Sequence, residues 1–169
     1  LANNLFKHAI ELTGENSLGY YIGTQMRISI HGFIGYAIMS ASNVTEALML
    51  ASRFIHIRVP FIHLHVSTMQ PKARLQLTCD ELNLEPLRQE VLIALTVGIL
   101  TMGKALTGKE LYADIECDFS QPKDFEKYQK MINANIKFNQ PHLVAYFDKS
   151  YLSLPLIMTR CPRCSMRMT

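Results

Sequence analysis

His63 and His65 stand two apart inside an alternating run whose other positions are Ile62, Leu64 and Val66. On a strand, residues i and i+2 point to the same face, so both imidazoles share one surface. Such a pair suits part of a metal shell or a grip on an anionic ligand. A zinc site takes three or four ligands, however, and no Asp, Glu, His or Cys stands beside the pair at helpful spacing, so no metal site is expected. Cys161-Pro162-Arg163-Cys164 has the C-x-x-C spacing of zinc or redox chemistry. It is half a zinc site without its other half, and no βαβ context supports a thioredoxin-like role. Asp114, Glu116 and Asp118 form an acidic row. Acid–base catalysis needs carboxylates in environments that push their pKa values apart, and a solvated row of like charges does not provide them. There is no G-x-S-x-G elbow, phosphate loop or H-E-x-x-H motif. No catalytic residue is assigned and no cofactor is expected.

The elements that hold these residues follow from periodicity. Leu5, Phe6, Ala9, Ile10 and Leu12 mark a helix over Ala2–Leu12, which Gly14 caps. Ser17 opens a second short helix reaching about Met26. Gly32 and Gly35, three apart on a further short helix, leave room for another backbone to approach. Ser42 or Asn43 caps a helix from Thr45 to about His56, with Ala47, Leu48, Ala51, Phe54 and Ile55 on its inner face and Pro60 ending it. The period then switches to two. Phe61–Val66 and Ala73–Cys79 alternate about a turn at Gln70-Pro71, the pattern of an antiparallel hairpin with one buried face.

Asn83 is placed to cap the longest helix, whose stripe is Leu84, Leu87, Val91, Leu95, Gly98 and Met102, with Lys104 and Gly108 at its end. Leu111–Phe119 alternates as a strand, and a short amphipathic helix follows over Lys123 to about Asn133. Two last strands, near Asn135–Phe138 and Leu143–Phe147, are joined through Asn139–His142. The segment Tyr151–Met158 is apolar, interrupted by proline and unassigned. The expected class is α+β: N-terminal helices, then β-β-α-β-α-β-β, with a mainly antiparallel sheet carrying helices on one face.

The 169 residues fit one domain, and 49% hydrophobic against 18% charged residues excludes a disordered chain. The net charge of +3 is too small for a nucleic-acid groove, and Arg160, Arg163 and Arg167 near the end supply much of it. The uncharged stretch Val91–Gly103 is shorter than the roughly 20 residues of a membrane span, so no membrane helix is expected. Four unevenly placed cysteines and no visible leader point to a reducing cytoplasm.

Several spaced signatures resemble a known family. They are Leu18-Gly19-Tyr20-Tyr21-Ile22-Gly23 after Leu12-Thr13-Gly14; Gly32-Phe33-Ile34-Gly35-Tyr36-Ala37 followed by Glu46-Ala47-Leu48 and Arg53-Phe54; Leu106-Thr107-Gly108; and Ile136-Lys137-Phe138 with Leu143, Phe147, Leu152 and Leu154-Pro155-Leu156. In order and spacing the chain resembles the arabinose-binding-like N-terminal domain of AraC-type transcription regulators. The resemblance implies a cytoplasmic sensing and dimerisation domain over residues 1–158, with an atypical basic tail at 159–169 and the helix-turn-helix domain expected to lie outside this chain. It implies a small-molecule effector, a homodimer, and promoter DNA bound only through that other domain, with no membrane partner. Tyr36, His63, His65 and Arg74 are the candidate ligand contacts, since Tyr36 follows the glycine pair and the others offer polar groups beside a sheet. Val91, Leu95, Ile99 and Met102, on the helix that is apolar nearly all round, are the candidates for dimerisation. The rival expectations are a small metal-dependent protein using the histidines and Cys161/Cys164, or a ligand-free dimerisation module.

Overall fold

A computed structural model of the chain describes residues 2–15, 17–80, 87–130 and 132–157. The proposed cap at Asn83, the unassigned Met158 and the tail with Cys161 and Cys164 therefore lie outside the described residues. Four helices come first: α1 (Ala2–Thr13), α2 (Leu18–Gln25), α3 (Phe33–Met39) and α4 (Val44–Arg58), with a 3-10 turn at Ile28–His31 before α3. Then follow β1 (Ile62–Met69), β2 (Lys72–Cys79), α5 (Leu87–Thr107), β3 (Ala113–Glu116), α6 (Phe125–Gln129), β4 (Ala134–Lys137), β5 (Leu143–Asp148) and a 3-10 turn at Lys149–Ser153.

Local chemistry sets the boundaries. Gly14, at φ +65°, takes the left-handed conformation that stops α1, and its N–H donates to the Ile10 carbonyl at 2.8 Å. At the start of α4 the Asn43 Oδ1 accepts the Glu46 N–H at 3.0 Å, while Glu46 Oε2 accepts the Ser42 N–H at 2.7 Å. This reciprocal capping is worth about 1 kcal/mol through the Asn43 side chain alone. α6 is shorter than the periodicity predicts. The chain turns after Gln129, whose carbonyl accepts the Ile132 N–H at 3.3 Å, and enters β4 at Ala134.

The strands form one five-stranded sheet in the order β1-β2-β5-β3-β4. Every pairing is antiparallel except β3 with β4, which α6 connects as a parallel crossover. The last two strands are joined in sequence but are not neighbours: β4 takes the edge and β5 lies between β2 and β3. Burial explains the choice. Leu143 and Val144 point to opposite faces, yet are only 1% and 2% exposed, the condition of a central strand.

One face of the sheet carries the helices. Leu64, Leu75, Leu77, Ile115 and Leu143 meet Leu92 of α5 there, with Leu48, Ala51 and Ile55 of α4 packed against them. α5 is 21 residues long and apolar enough to cross a membrane by length and composition. In this fold its Leu92, Ala94, Val97 and Gly98 are instead buried in the protein. α2 lies against α5 through Gly19 and Gly23, where there is no space for a side chain. A Cβ on Gly19 would stand 2.3 Å from the Glu90 carbonyl oxygen, and one on Gly23 2.7 Å from the Val97 Cβ. Gly35 is equally constrained, its would-be Cβ 2.0 Å from the Ile28 carbonyl oxygen.

The apolar stretch left unassigned in sequence closes the fold as a strap over the start of α4. The Val44 N–H donates to the Leu154 carbonyl at 3.0 Å, the Thr45 hydroxyl donates to the Leu152 carbonyl at 2.9 Å, and Leu156 is fully buried.

Candidate ligand-binding site

Between α4, α5 and the helix-bearing face of the sheet the packing leaves a cavity of about 210 Å³. α4 contributes Val44, Ala47, Leu48, Ala51, Ile55 and Arg58, a single stripe at helical spacing. At 1.5 Å per residue that stripe runs for about 21 Å, so one helix supplies a long wall of the slot. Leu95, Ile99, Met102 and Leu106 of α5 form the opposite wall. The floor is Leu64, Leu75, Ala113, Ala145 and Phe147 from the sheet, and Ile34 and Ile38 of α3 help close the roof. Met26 plugs the junction with α5, its sulfur occupying the place of a Gly98 Cβ.

The lining holds no Asp or Glu, and its charged or ionisable side chains are Arg58, His31, Tyr112 and Tyr151. Arg58 ends α4 and is exposed, so the slot reaches the surface there. His31 ends the 3-10 turn before α3, with its Nε2 buried and without a hydrogen-bond partner among the described residues. Leaving such a group unpaired costs about 1–3 kcal/mol. Burial holds the His31 imidazole below its ordinary pKa, and the Arg58 charge nearby lowers it further, so the ring is neutral at pH 7. The Thr107 hydroxyl is committed to the Gly103 carbonyl at 2.7 Å.

The residues singled out in sequence fall elsewhere. His63, His65 and Arg74 alternate with the buried Leu64, Leu75 and Ala73, and so occupy the outer face of the sheet, away from the slot. Contrary to the spacing argument, His63 does have an acidic neighbour: its Nε2 is 2.7 Å from Asp80 Oδ2 at the surface. Tyr36 is 62% exposed on α3 and does not line the slot, although Ile34 and Ile38 beside it do. Of the α5 residues considered for dimerisation, Leu95, Ile99 and Met102 line the slot, and Val91 packs against the main core. Sequence reasoning passed over His31 and Arg58. The signal for Arg58 was present, since extending the inner stripe of α4 from Ile55 by three residues reaches it.

The acidic row is likewise structural. Asp114 accepts from Lys72 at 2.6 Å across the sheet, and Asp118 pairs with Arg88 of α5 at 2.5 Å in a largely buried contact. Cys117 is buried, its thiol pushed up to about 12 chiefly by desolvation, which makes it a poor nucleophile. A second polar cluster fastens α6 to the start of α2. There the Tyr128 hydroxyl donates to Glu15 at 2.7 Å, Lys127 donates to the same carboxylate at 3.0 Å, and Tyr20 stacks on Tyr128 at 4.3 Å. Beside it a void of about 40 Å³ is lined by Ser17, Val97 and Phe119. Among the described residues, no three His, Cys, Asp or Glu side chains come together to hold a metal ion.

The fold is an α+β domain with an apolar slot under its helical layer. The model of the N-terminal arabinose-binding domain of AraC transcription regulators matches residues 2–156, and the chain belongs to that family. A curated relative, the ornithine utilization regulator of Pseudomonas aeruginosa, is 23% identical over 158 residues, covering 92% of this chain and 46% of that protein. The crystal structure of the transcriptional regulator CdpR from Pseudomonas aeruginosa shares the fold. Its TM-score is 0.73 at 17% identity, over 94% of this chain and 52% of that one. The chain thus spans about half the length of the relatives it matches.

Proposed function

We propose that this domain is the sensing half of a cytoplasmic AraC-type regulator, binding a small effector in the slot and forming a homodimer. Promoter contact in the whole protein falls to its other half. The observation that carries this reading is the apolar slot of about 210 Å³ inside a domain of a transcription-regulator family. Burying a small molecule there favours the conformation that encloses it. An effector changes DNA occupancy only through its unequal affinity for two states of the protein. The dimer contact is not assigned to Leu95, Ile99 and Met102, because a contact through them competes with their place in the slot wall.

The test is a melting-temperature screen of the chain against small metabolites, together with light scattering at micromolar concentration. L-ornithine belongs in the screen because a relative is named for its utilisation. A ligand present at a hundred times its Kd stabilises by about 2.7 kcal/mol, or a rise of roughly 5–11 °C for a domain of this size. A dimer with at least one stabilising compound is the expected result. A monomer that no compound stabilises overturns the reading, and a dimer that no compound stabilises leaves a ligand-free dimerisation module in its place.

A further inference from the structure

We infer that the slot takes an amphiphilic carboxylate: a linear or cyclic hydrocarbon body of medium length lies along α4, and its head group sits between His31 and Arg58. This deepens the effector-binding reading and rests on it. Three independent features of the slot point to this chemistry.

The first is sign. The lining has one permanent cation, Arg58, and no Asp or Glu. An α-amino acid with a cationic side chain would bring two ammonium groups, and no carboxylate in the wall would receive them. An unpaired ammonium in an apolar wall is strongly disfavoured, whereas a carboxylate beside Arg58 gains charge-assisted hydrogen bonds.

The second is the orphaned nitrogen. His31 Nε2 is buried at the slot with no partner among the described residues. A neutral imidazole in the Nε2–H tautomer donates one hydrogen bond, and a carboxylate oxygen accepts it. Burial and the Arg58 charge both keep this ring neutral, so it serves as a donor without adding a second cation. The two groups face one cavity, since His31 and Arg58 both line the slot, and α3, which packs against α4, also packs against the turn that carries His31.

The third is shape and volume. The wall beyond the head-group end is apolar for the remaining length of α4, from Ile55 and Phe54 back to Val44. An apolar cavity of about 150 Å³ is enough to take up benzene. By that scale the 210 Å³ slot holds a body of about eight carbons, and its open end at Arg58 leaves the head group partly hydrated.

The experiment is calorimetric titration of the full chain with hexanoate, octanoate, octanol, octylamine and L-ornithine, repeated on Arg58→Gln, His31→Phe and Ala51→Phe. Arg58 is at the surface, so Arg58→Gln retains the fold, and melting curves check the other two. Affinity is expected to rise about fourfold per methylene from hexanoate to octanoate. Octanoate is expected to bind about tenfold tighter than octanol or octylamine. Arg58→Gln should remove the advantage of octanoate while leaving octanol unchanged, His31→Phe should reduce it in part, and Ala51→Phe should abolish all binding. Octylamine binding as tightly as octanoate, affinity independent of chain length, or full binding to Ala51→Phe overturns the inference. L-ornithine binding in place of the carboxylates overturns it too, but leaves the effector-binding reading standing. Binding by none of these probes overturns the carboxylate assignment, and the wider metabolite screen then decides separately whether the domain senses anything.

Discussion

Helix α5 has two flanks, and they are packed by opposite rules. On the α2 side the backbones approach so closely that neither Gly19 nor Gly23 has space for a methyl group. On the α4 side the same helix faces a slot of about 210 Å³ that no side chain fills. Protein interiors are packed to crystal-like density, and an unfilled volume of this size forfeits dispersion contacts on every wall. The two flanks differ although both are apolar and both are built from helix on helix. Tight contact fixes α2 as a rigid buttress. The loosely filled flank leaves volume beside α4 that a ligand or a larger side chain can occupy.

The comparison breaks most readily at Gly19. Its substitution by alanine places a Cβ 2.3 Å from a backbone oxygen of α5, which cannot move as a flexible side chain would. The expected loss is about 1–3 kcal/mol, a fall of roughly 2–12 °C in melting temperature. Ala51→Leu on the other flank adds a larger group, yet it enters the slot and should leave the melting temperature unchanged or raised. Thermal melts of the two variants side by side decide the matter. Equal destabilisation would mean that the α4 flank is as full as the α2 flank.

Glu90 sharpens the contrast from within the tight flank. It is 6% exposed on α5 and accepts the Gly19 N–H at 2.6 Å. Burial raises its carboxyl above the ordinary value, the Gly19 hydrogen bond opposes that, and the charge on Glu15 adds to it. A carboxyl whose folded pKa is raised favours folding while protonated. Its contribution is fully present below the unfolded pKa and is lost as pH rises through the folded one. Glu90→Gln keeps an acceptor for Gly19 and removes the charge. The variant should therefore gain stability relative to the parent between the ordinary carboxylate range and neutral pH, with the gap closing as pH falls to 4. Glu15, whose pKa is lowered through its bonds to Tyr128 and Lys127, titrates in both proteins. Its coupling to the Glu90 charge is lost with that charge in the variant, so the pH-dependent difference reports Glu90 together with that coupling. Melting curves from pH 4 to 8 that stay parallel would remove Glu90 from the pH response.

How much of this was legible in sequence follows from what each feature depends on. The stripe Ala47, Leu48, Ala51, Ile55 and the alternation of Leu75 and Leu77 declare a buried face by period alone, so the α4 wall and the sheet floor were readable. The family signature at Gly19 and Gly23 was readable as a pattern, but its reason, contact with Glu90 and Val97 some 70 residues later, was not. The insertion of β5 between β2 and β3 was hidden because strand order is a property of pairing between distant segments. The slot was hidden most completely, being a deficit of volume between three elements. Polar residues drew attention to His63, His65 and Arg74, whereas the groups that face the slot, His31 and Arg58, sit at the ends of their elements, Arg58 as the last position of an otherwise apolar stripe of α4.

The smallest expected effect tests that last distinction. His63 and Asp80 form a pair at 2.7 Å with side chains 41% and 65% exposed, and His65 is exposed beside them on the outer face. Exposed pairs gain little from Coulomb attraction in water and lose side-chain freedom to keep one geometry. His63→Ala and His65→Ala should each move the melting temperature by no more than about 2 °C. Because the sheet itself separates them from Leu64 and Leu75, neither should alter the Kd of a ligand held in the slot, while Ala51→Phe abolishes it. A change in Kd with either histidine, at unchanged stability, would shift the candidate site to the outer face. The two sides of the sheet would then exchange roles: the polar surface would be where ligand chemistry is read, and the slot beneath α4 would be a defect in packing rather than a place for a molecule.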